Sequence, residues 1–386
     1  MHAFRYHTIE RFSWRDGQSF ELLIDGHVFF DDMLVAIHSA KSFIYFEMYL
    51  VQSGHVADRF IEALLAASHR GVQVKLLLDD YGTRGFEKSD REKLQAENIV
   101  TCFYNPLQYG RLRKNLFRDH RKLLLVDGVI AYTGGAGITD DFDRDSHPDE
   151  YWHEAMIKVR GDCVQDWKVL FESNWQRCSG ELLQTLALEH DAFLPGQMGR
   201  VVAGKTITHS EVIRSFVTHI RGAQKCIWLA SAYFVPSRKI RGALLKQARD
   251  GVDVRLLLPG PRIDHPWARH MGRRYYERLL SHGVRIFEYQ PRFTHVKMLL
   301  CDHWVSIGSS NVDRWNFKWN LEANQEVEDE EFSNIVQDQF KNDFADSREI
   351  LLREWVKRSW WVRLKVTCWS AVARVLSWLS FHRNDD

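Results

Sequence analysis

AKSFIYFEMYLV (Ala40–Val51) leads through ADRFIEALLAASHRG (Ala57–Gly71) into VQVKLLLDD (Val72–Asp80), and the same order recurs as AQKCIWLASAYFV (Ala223–Val235), KIRGALLKQARDG (Lys239–Gly251) and VDVRLLLPG (Val252–Gly260). Each copy reads strand, helix, strand. The apolar runs lack polar alternation, so their sheets should be covered by helices on both faces, and a short strand-helix-strand crossover implies parallel neighbours. The match continues with a helix end and a strand, LQAENIVTCFY (Leu94–Tyr104) against LLSHGVRIFEY (Leu279–Tyr289). A chain that repeats its elements in this order predicts a duplicated α/β fold of two α/β/α halves related by a pseudo-twofold. The halves are expected over 1–190 and 191–345, joined near Leu182–Gly204, with a C-terminal amphipathic segment over 346–386.

Both copies then reach the same chemistry. Residues 119–137 read DHRKLLLVDGVIAYTGGAG and residues 294–311 read THVKMLLCDHWVSIGSSN, so His120, Lys122 and Asp127 match His295, Lys297 and Asp302 as HxKxxxxD, each followed by a glycine-led turn. One such motif arises by chance in on the order of one in twenty chains of this length. Two in register do not. On a strand, residues two apart share a face, so each half should present an imidazole with an ammonium. Two imidazoles on opposite sides of one phosphorus allow one to attack while the other protonates the leaving oxygen. Lys122 and Lys297, with Ser309 and Asn311 as neutral donors, would surround the nonbridging oxygens without a metal or other cofactor. Asp127 and Asp302 complete the motif at odd offsets, and are read as fixing the turn at the strand's end or pairing with a basic neighbour.

A histidine nucleophile needs a partner on its other nitrogen. Glu154, in YWHEAMIKVRG, follows His120 by 34 residues and is expected to hold it; Glu322, in KWNLEANQEV, follows His295 by 27. The alternative for either is a surface glutamate on an edge strand.

Paired HxKxxxxD motifs followed by G-G/S-x-N resemble the phospholipase D superfamily, over about Leu22–Glu328. The stretches FSWRDGQSFELLIDGHVFFDDMLVAIHSAK, LLLDDYGTRGF and GSSNVDRWNFKWNLEANQEVED are similar to bacterial cardiolipin synthases, and DHWVSIGSSNVD with NLEAN to their shorter B-type form. The resemblance implies a phosphatidyltransferase working through a phosphohistidine, an acidic residue at positions 154 and 322, and the N-terminal histidine as nucleophile. Phosphatidylglycerol is the implied substrate, with phosphatidylethanolamine a second donor; phospholipid or nucleic-acid hydrolysis is the alternative. The family usually has Asn where this chain has Gly137, which removes a phosphate donor from the first half.

The remaining signals concern the environment. A net charge of +1, from 52 basic and 51 acidic side chains, gives no global field for nucleic acid, so none is expected as a partner. Six cysteines show neither CxxC pairing nor ligand spacing, which suits free thiols in a reducing compartment. The first residues, MHAFRYHTIERFSWRDGQ, lack a signal's apolar region, and no apolar run reaches the ~18 residues of a membrane span. The expectation is a peripheral protein on the cytoplasmic face of a bacterial inner membrane, its oligomeric state left open. REWVKRSWWVRLKVTCWSAVARVLSWLSFHR (Arg353–Arg383) spaces Trp361, Leu364, Cys368, Val372, Val375 and Leu379 as an apolar helical stripe, with tryptophans at 355, 360, 361, 369 and 378. Its basic flanks, Lys357, Arg358, Lys365 and Arg383, suit an anionic membrane surface; packing on the protein's own core is the alternative. Two other clusters, Arg111, Arg113, Lys114 and Arg118, and Arg269, Arg273 and Arg274 beside Trp267 and Tyr275, read either as headgroup sites or as solvated loops.

Overall fold

The mostly apolar strands lie inside each half of one sheet, paired on both edges and covered on both faces. The computed structural model describes residues 11–97, 99–108, 110, 114–183, 196–204, 211–313 and 319–358. The first half runs β1 (Arg15–Ile24), α1 (Gly26–Ser39), β2 (Phe43–Met48), α2 (His55–His69), β3 (Gln73–Asp79), α3 (Lys88–Ala96) and β4 (Val100–Tyr104). It continues with the two-residue β5 (Arg118–Asp119), β6 (Lys122–Val126), β7 (Ile130–Gly134), β8 (Ala155–Arg160) and α4 (Cys163–Ser179). The second half runs β9 (Gln197–Gly204), α5 (Glu211–Gly222), β10 (Cys226–Ala230), α6 (Arg238–Arg249), β11 (Asp253–Pro259), α7 (Pro266–Arg273), α8 (Tyr276–Leu280) and β12 (Arg285–Tyr289). Then come β13 (Met298–Cys301), β14 (Trp304–Gly308), β15 (Asn320–Glu328), α9 (Glu330–Ala345), β16 (Ser347–Glu349) and α10 (Leu352–Val356).

The strand order is β4-β3-β2-β6-β7-β8-β1 in one half and β12-β11-β10-β13-β14-β15-β9 in the other, joined by the antiparallel contact of β1 with β9. Each order is the other reversed about that contact, which is the pseudo-twofold. As the crossover pattern predicts, β2 pairs parallel with β3 and β10 with β11, while β6 to β8 and β13 to β15 are antiparallel meanders. All six residues of β2 and all five of β10 are buried. One outer core packs Phe29, Phe30 and Phe60 of α1 and α2 on the first half-sheet, and another packs Val212, Phe216 and Leu244 of α5 and α6 on the second. The third core spans both halves, with Trp167, Phe171 and Trp175 of α4 and Phe332, Phe340 and Phe344 of α9. It is tied polar-wise too, since Trp167 donates Nε1–H to Gln325 at 2.9 Å. The halves therefore fold as one body across a shared apolar layer.

Asp127 and Asp302 fix a turn, one of the two roles expected of them, and do not join the reaction centre with the rest of the motif: they stand past the far end of β6 and β13 from the histidines, roughly 20 Å along the strand. Each adopts positive φ, 54° and 53°, and its carboxylate accepts three backbone N–H groups: Lys41, Ser42 and Phe43 for Asp127; Gln224, Lys225 and Cys226 for Asp302. They pin the turn to the entry of β2 or β10, a structural task. His120 and His295 lie just before their strands rather than on them. Finally, the described start of the C-terminal segment, residues 346–358, packs on the second half, because β16 pairs with β12 and Trp355 of α10 is 3% exposed, its ring 4.8 Å from that of Tyr276. Trp360, Trp361, Trp369 and Trp378, with the rest of the amphipathic segment, lie outside the described residues. So does most of the expected junction. The five described cysteines are free.

Candidate active site

Short strand pairings across the pseudo-twofold build the site. Arg118 and Asp119 of β5 pair in parallel with Asn320 and Leu321 of β15, and His120 N–H donates to the Leu321 carbonyl at 3.0 Å. In mirror image, Thr294 bridges to His153 and His295 N–H donates to the His153 carbonyl at 2.7 Å. Each histidine is thus registered one residue short of a glutamate on the other half. The side chains follow this register. His120 Nδ1 meets Glu322 at 3.1–3.2 Å, and His295 Nδ1 meets Glu154 at 2.6 Å. Glu154 therefore does not hold His120, nor Glu322 His295; the partners are exchanged, because pairing in space runs between halves.

All of these groups are buried, with His120 and His295 9% and 8% exposed. Lys122 Nζ donates to the His120 carbonyl at 2.7 Å and sits 5.0 Å over the Tyr49 ring. Lys297 Nζ lies 3.3 Å from Glu154 and against the His295 ring, 2.9 Å from Nδ1. Burial, with the Lys297 charge beside it, pushes the Lys122 ammonium down to about 7 although Glu322 pulls the other way. Lys297 is lowered by burial against the pull of Glu154. Burial lowers His120, partly offset by Glu322; burial and Lys297 hold His295 well below an ordinary imidazole. Each imidazole and the opposite lysine lie within one another's electrostatic reach, so the four groups converge on one place.

The two carboxylates differ. Burial alone would raise Glu322, but His120, Lys122 and the Ser309 hydroxyl outweigh it and leave it below the usual range. Burial does raise Glu154, the neighbouring Lys297 notwithstanding. His120 is the largest of the groups that lower Glu322, and Ser309 the smallest; the residue facing each carboxylate nevertheless differs. Ser309 donates to Glu322; its counterpart is Gly135, where a Cβ would fall 2.1 Å from Glu154 Oε2 and 2.8 Å from Lys297 Nζ. Ser309 is accordingly not a free phosphate donor. Asn311 is fully buried, its Oδ1 accepts from Tyr233 N–H at 3.3 Å, and its Nδ2 has no partner among the described residues, which leaves an N–H to offer. At Gly137 a side chain would meet Leu50 Cβ at 2.7 Å, so the missing asparagine accompanies a close approach of Leu50.

Of the two basic clusters, Arg118 is consumed by Asp79 (3.4 Å) and the Asn105 carbonyl (3.0 Å), and Arg111 and Arg113 lie outside the described residues. Arg269 and Arg273 pair with buried Glu288 at 2.7 and 3.1 Å and so are structural. Aromatic neighbours of the histidines carried no motif signal: Tyr49 stands 4.8 Å from His120, and Phe142 and Trp152 5.6 and 5.3 Å from His295. Tyr49 could have been found from the repeat, since it ends the same apolar run in which Tyr233 stands. Among the described residues no three His, Cys, Asp or Glu side chains group as a metal site, and no helix is long and apolar enough to cross a membrane.

The family described as "Cardiolipin synthase, PLD-like domain" matches residues 33–175 and 216–344, one stretch in each half. The chain belongs to this family. It is similar to a cardiolipin synthase of Oceanobacillus iheyensis, 28% identical over 92% of this chain and 74% of the relative. A cardiolipin synthase of Alkalihalophilus pseudofirmus is 32% identical over 79% of this chain, which spans 61% of that relative's length. The fold is shared with the crystal structure of a phosphatidylserine synthase from Haemophilus influenzae, at a TM-score of 0.70, 13% identity and 93% coverage of both chains.

Proposed function

We propose that this phosphatidyltransferase is a cardiolipin synthase, moving a phosphatidyl group from one phosphatidylglycerol to the glycerol hydroxyl of another at the cytoplasmic face of the membrane. The observation that carries the reading is the exchanged pairing of two buried His–Glu couples around two lysines, in a chain of this family. The couples suit different tasks. Ionised Glu322 accepts Nδ1–H from His120 and leaves Nε2 with a lone pair for phosphorus. Glu154, raised by burial, holds a proton more readily, so that couple can present N–H at His295 Nε2. In the first step His120 Nε2 forms the P–N bond, the P–O bond to the leaving glycerol breaks, and the His295 side supplies that oxygen's proton. In the second, the acceptor hydroxyl gives its proton to His295, its oxygen forms the new P–O bond, and P–N breaks. Lys122, Lys297 and Asn311 Nδ2 face the charge on the nonbridging oxygens, the role usually worth most in such transfers.

Incubating the protein with phosphatidylglycerol vesicles and analysing lipids by mass spectrometry tests this. Cardiolipin and free glycerol in equal amounts are expected. Phosphatidic acid without cardiolipin would make the protein a hydrolase instead.

A further inference from the structure

On the second-half side of the site, the loop between β11 and α7 carries Asp264 and His265, and the first turn of α7 carries Trp267. Tyr233 O–H donates to the Asp264 carboxylate, and Tyr233 itself is fixed on three sides. Its backbone is held by Asn311, its ring stacks on His265 at 6.1 Å, and its edge faces His295 at 6.4 Å. His265 in turn stacks on Trp267 at 5.7 Å. The first half has nothing equivalent. By the register of β2 and β10, the position of Tyr233 is held there by Leu50, and the loop after β3 carries Arg84 over the Tyr81 ring at 5.0 Å. The carboxylate with its phenol thus stands beside the second-half histidine, and the corresponding first-half loop carries a cation in its place.

Resting on the transferase reading above, we propose that Asp264, oriented by Tyr233, is a specificity-determining residue that selects an acceptor bearing two vicinal hydroxyls, as a glycerol headgroup does. The Asp264 side chain is 18% exposed; Oδ1 accepts from His265 N–H at 2.6 Å and Oδ2 from Tyr233 O–H, and a carboxylate's four lone pairs leave each oxygen one more to offer. Its negative charge acts on both His295 and Lys297, which places it within reach of the group that activates the acceptor. When one hydroxyl gives its proton to His295, the hydroxyl on the adjacent carbon donates to Asp264. That hydrogen bond to a charged oxygen fixes the attacking oxygen toward phosphorus. Asp264 exchanges no proton. Water and monohydric alcohols engage His295 but supply no second donor, and an ammonium headgroup is disfavoured by Lys122 and Lys297 close by.

The test is an internal competition. The full chain acts on phosphatidylglycerol vesicles containing equal concentrations of 1,2-propanediol and 1-propanol, and the two phosphatidyl alcohols are measured by mass spectrometry. The wild type should favour the diol by about tenfold, Asp264→Asn should bring the ratio to within about twofold of unity, and Tyr233→Phe should fall between. A ratio is readable at reduced turnover, so partly unfolded variants still report it. A wild-type ratio near unity, or a preference unchanged in both variants, overturns the subsite while leaving the transferase reading intact. Phosphatidic acid with neither phosphatidyl alcohol overturns the transferase reading, and the subsite with it.

Discussion

The halves share a strand order and a histidine-lysine pair, yet their carboxylate cradles are not alike. Glu322 is met by His120 and the Ser309 hydroxyl, while Glu154 is met by His295 and Lys297 across the space that Gly135 leaves open. Glu322 is therefore held low chiefly by His120 and Lys122, with the Ser309 hydroxyl adding to them, while at Glu154 burial outweighs Lys297. Duplication gives two imidazoles, but a reaction needs a nucleophile and an acid. The asymmetry at 135 and 309 adds to the unequal pull of the neighbouring histidines and lysines on the two carboxylates.

The sharpest way to break this comparison is to delete each imidazole. His120→Ala should abolish the covalent route, whereas His295→Ala should lose ~10²–10⁴ in turnover with lipid. With a nitrophenyl phosphodiester, whose leaving group needs no acid, His295→Ala should still accumulate a phosphohistidine and His120→Ala should not. Peptide mapping of the wild type that places the trapped group on His295 reverses the assignment. Next comes Gly135→Ser, which copies the second half into the first. Its Cβ cannot stand 2.1 Å from Glu154 Oε2, so the carboxylate must leave His295, with a loss of about 10²–10³ in kcat. Far-UV circular dichroism should be unchanged. Activity within threefold of wild type would show that Glu154 need not hold His295.

The duplicated α/β fold was legible because strands such as FIYFEM and CIWLA are mostly apolar, without polar alternation, and recur with the same helix after them. The reacting pairs were legible from HxKxxxxD. What sequence distance hid was partnership: Glu154 is nearer to His120 in the chain, yet β5 lies against β15, so the carboxylate comes from the half that the chain reaches last. Ser309 misled for a related reason, since a hydroxyl after a glycine reads as a phosphate donor until the strand opposite it supplies a carboxylate. Trp355 belonged to an amphipathic pattern, but an apolar stripe says only that a face is covered, and here the cover is Tyr276.

A gentler change sharpens the same contrast. Ser309→Ala removes a donor to Glu322 without displacing it, so the carboxylate should protonate at higher pH than in the wild type. Ionised Glu322 is what keeps His120 in the reactive tautomer. The acid limb of kcat against pH should therefore move to higher pH by about one unit, with little change near neutrality. An unmoved limb would mean that Ser309 does not stabilise the anion.

The smallest effect concerns the residues just before the glutamates, where the halves differ again: His153 stands where the second half has Leu321. His153 is 2% exposed, with Nδ1 2.7 Å from Asp25 and Nε2 3.2 Å from Asp343, and Arg292 also pairs with Asp25. Burial would lower its pKa, but the two carboxylates outweigh burial and raise it to about 10. A raised folded-state value means that folding is favoured by protonation. The contribution is whole below the unfolded value near 6.5 and is lost as pH climbs through about 10. His153→Leu, which copies the second half, should lower the thermal midpoint most at neutral pH, because it leaves Asp25 and Asp343 without that cation. Between pH 7 and pH 10.5 the gap between wild type and variant should narrow by a few degrees, since the wild type then loses the same charge by titration. Melting curves across that range isolate the effect, because every other alkaline titration is common to both proteins. A gap that stays constant would show that His153 is neutral in the fold, and that the two halves differ there in shape but not in charge.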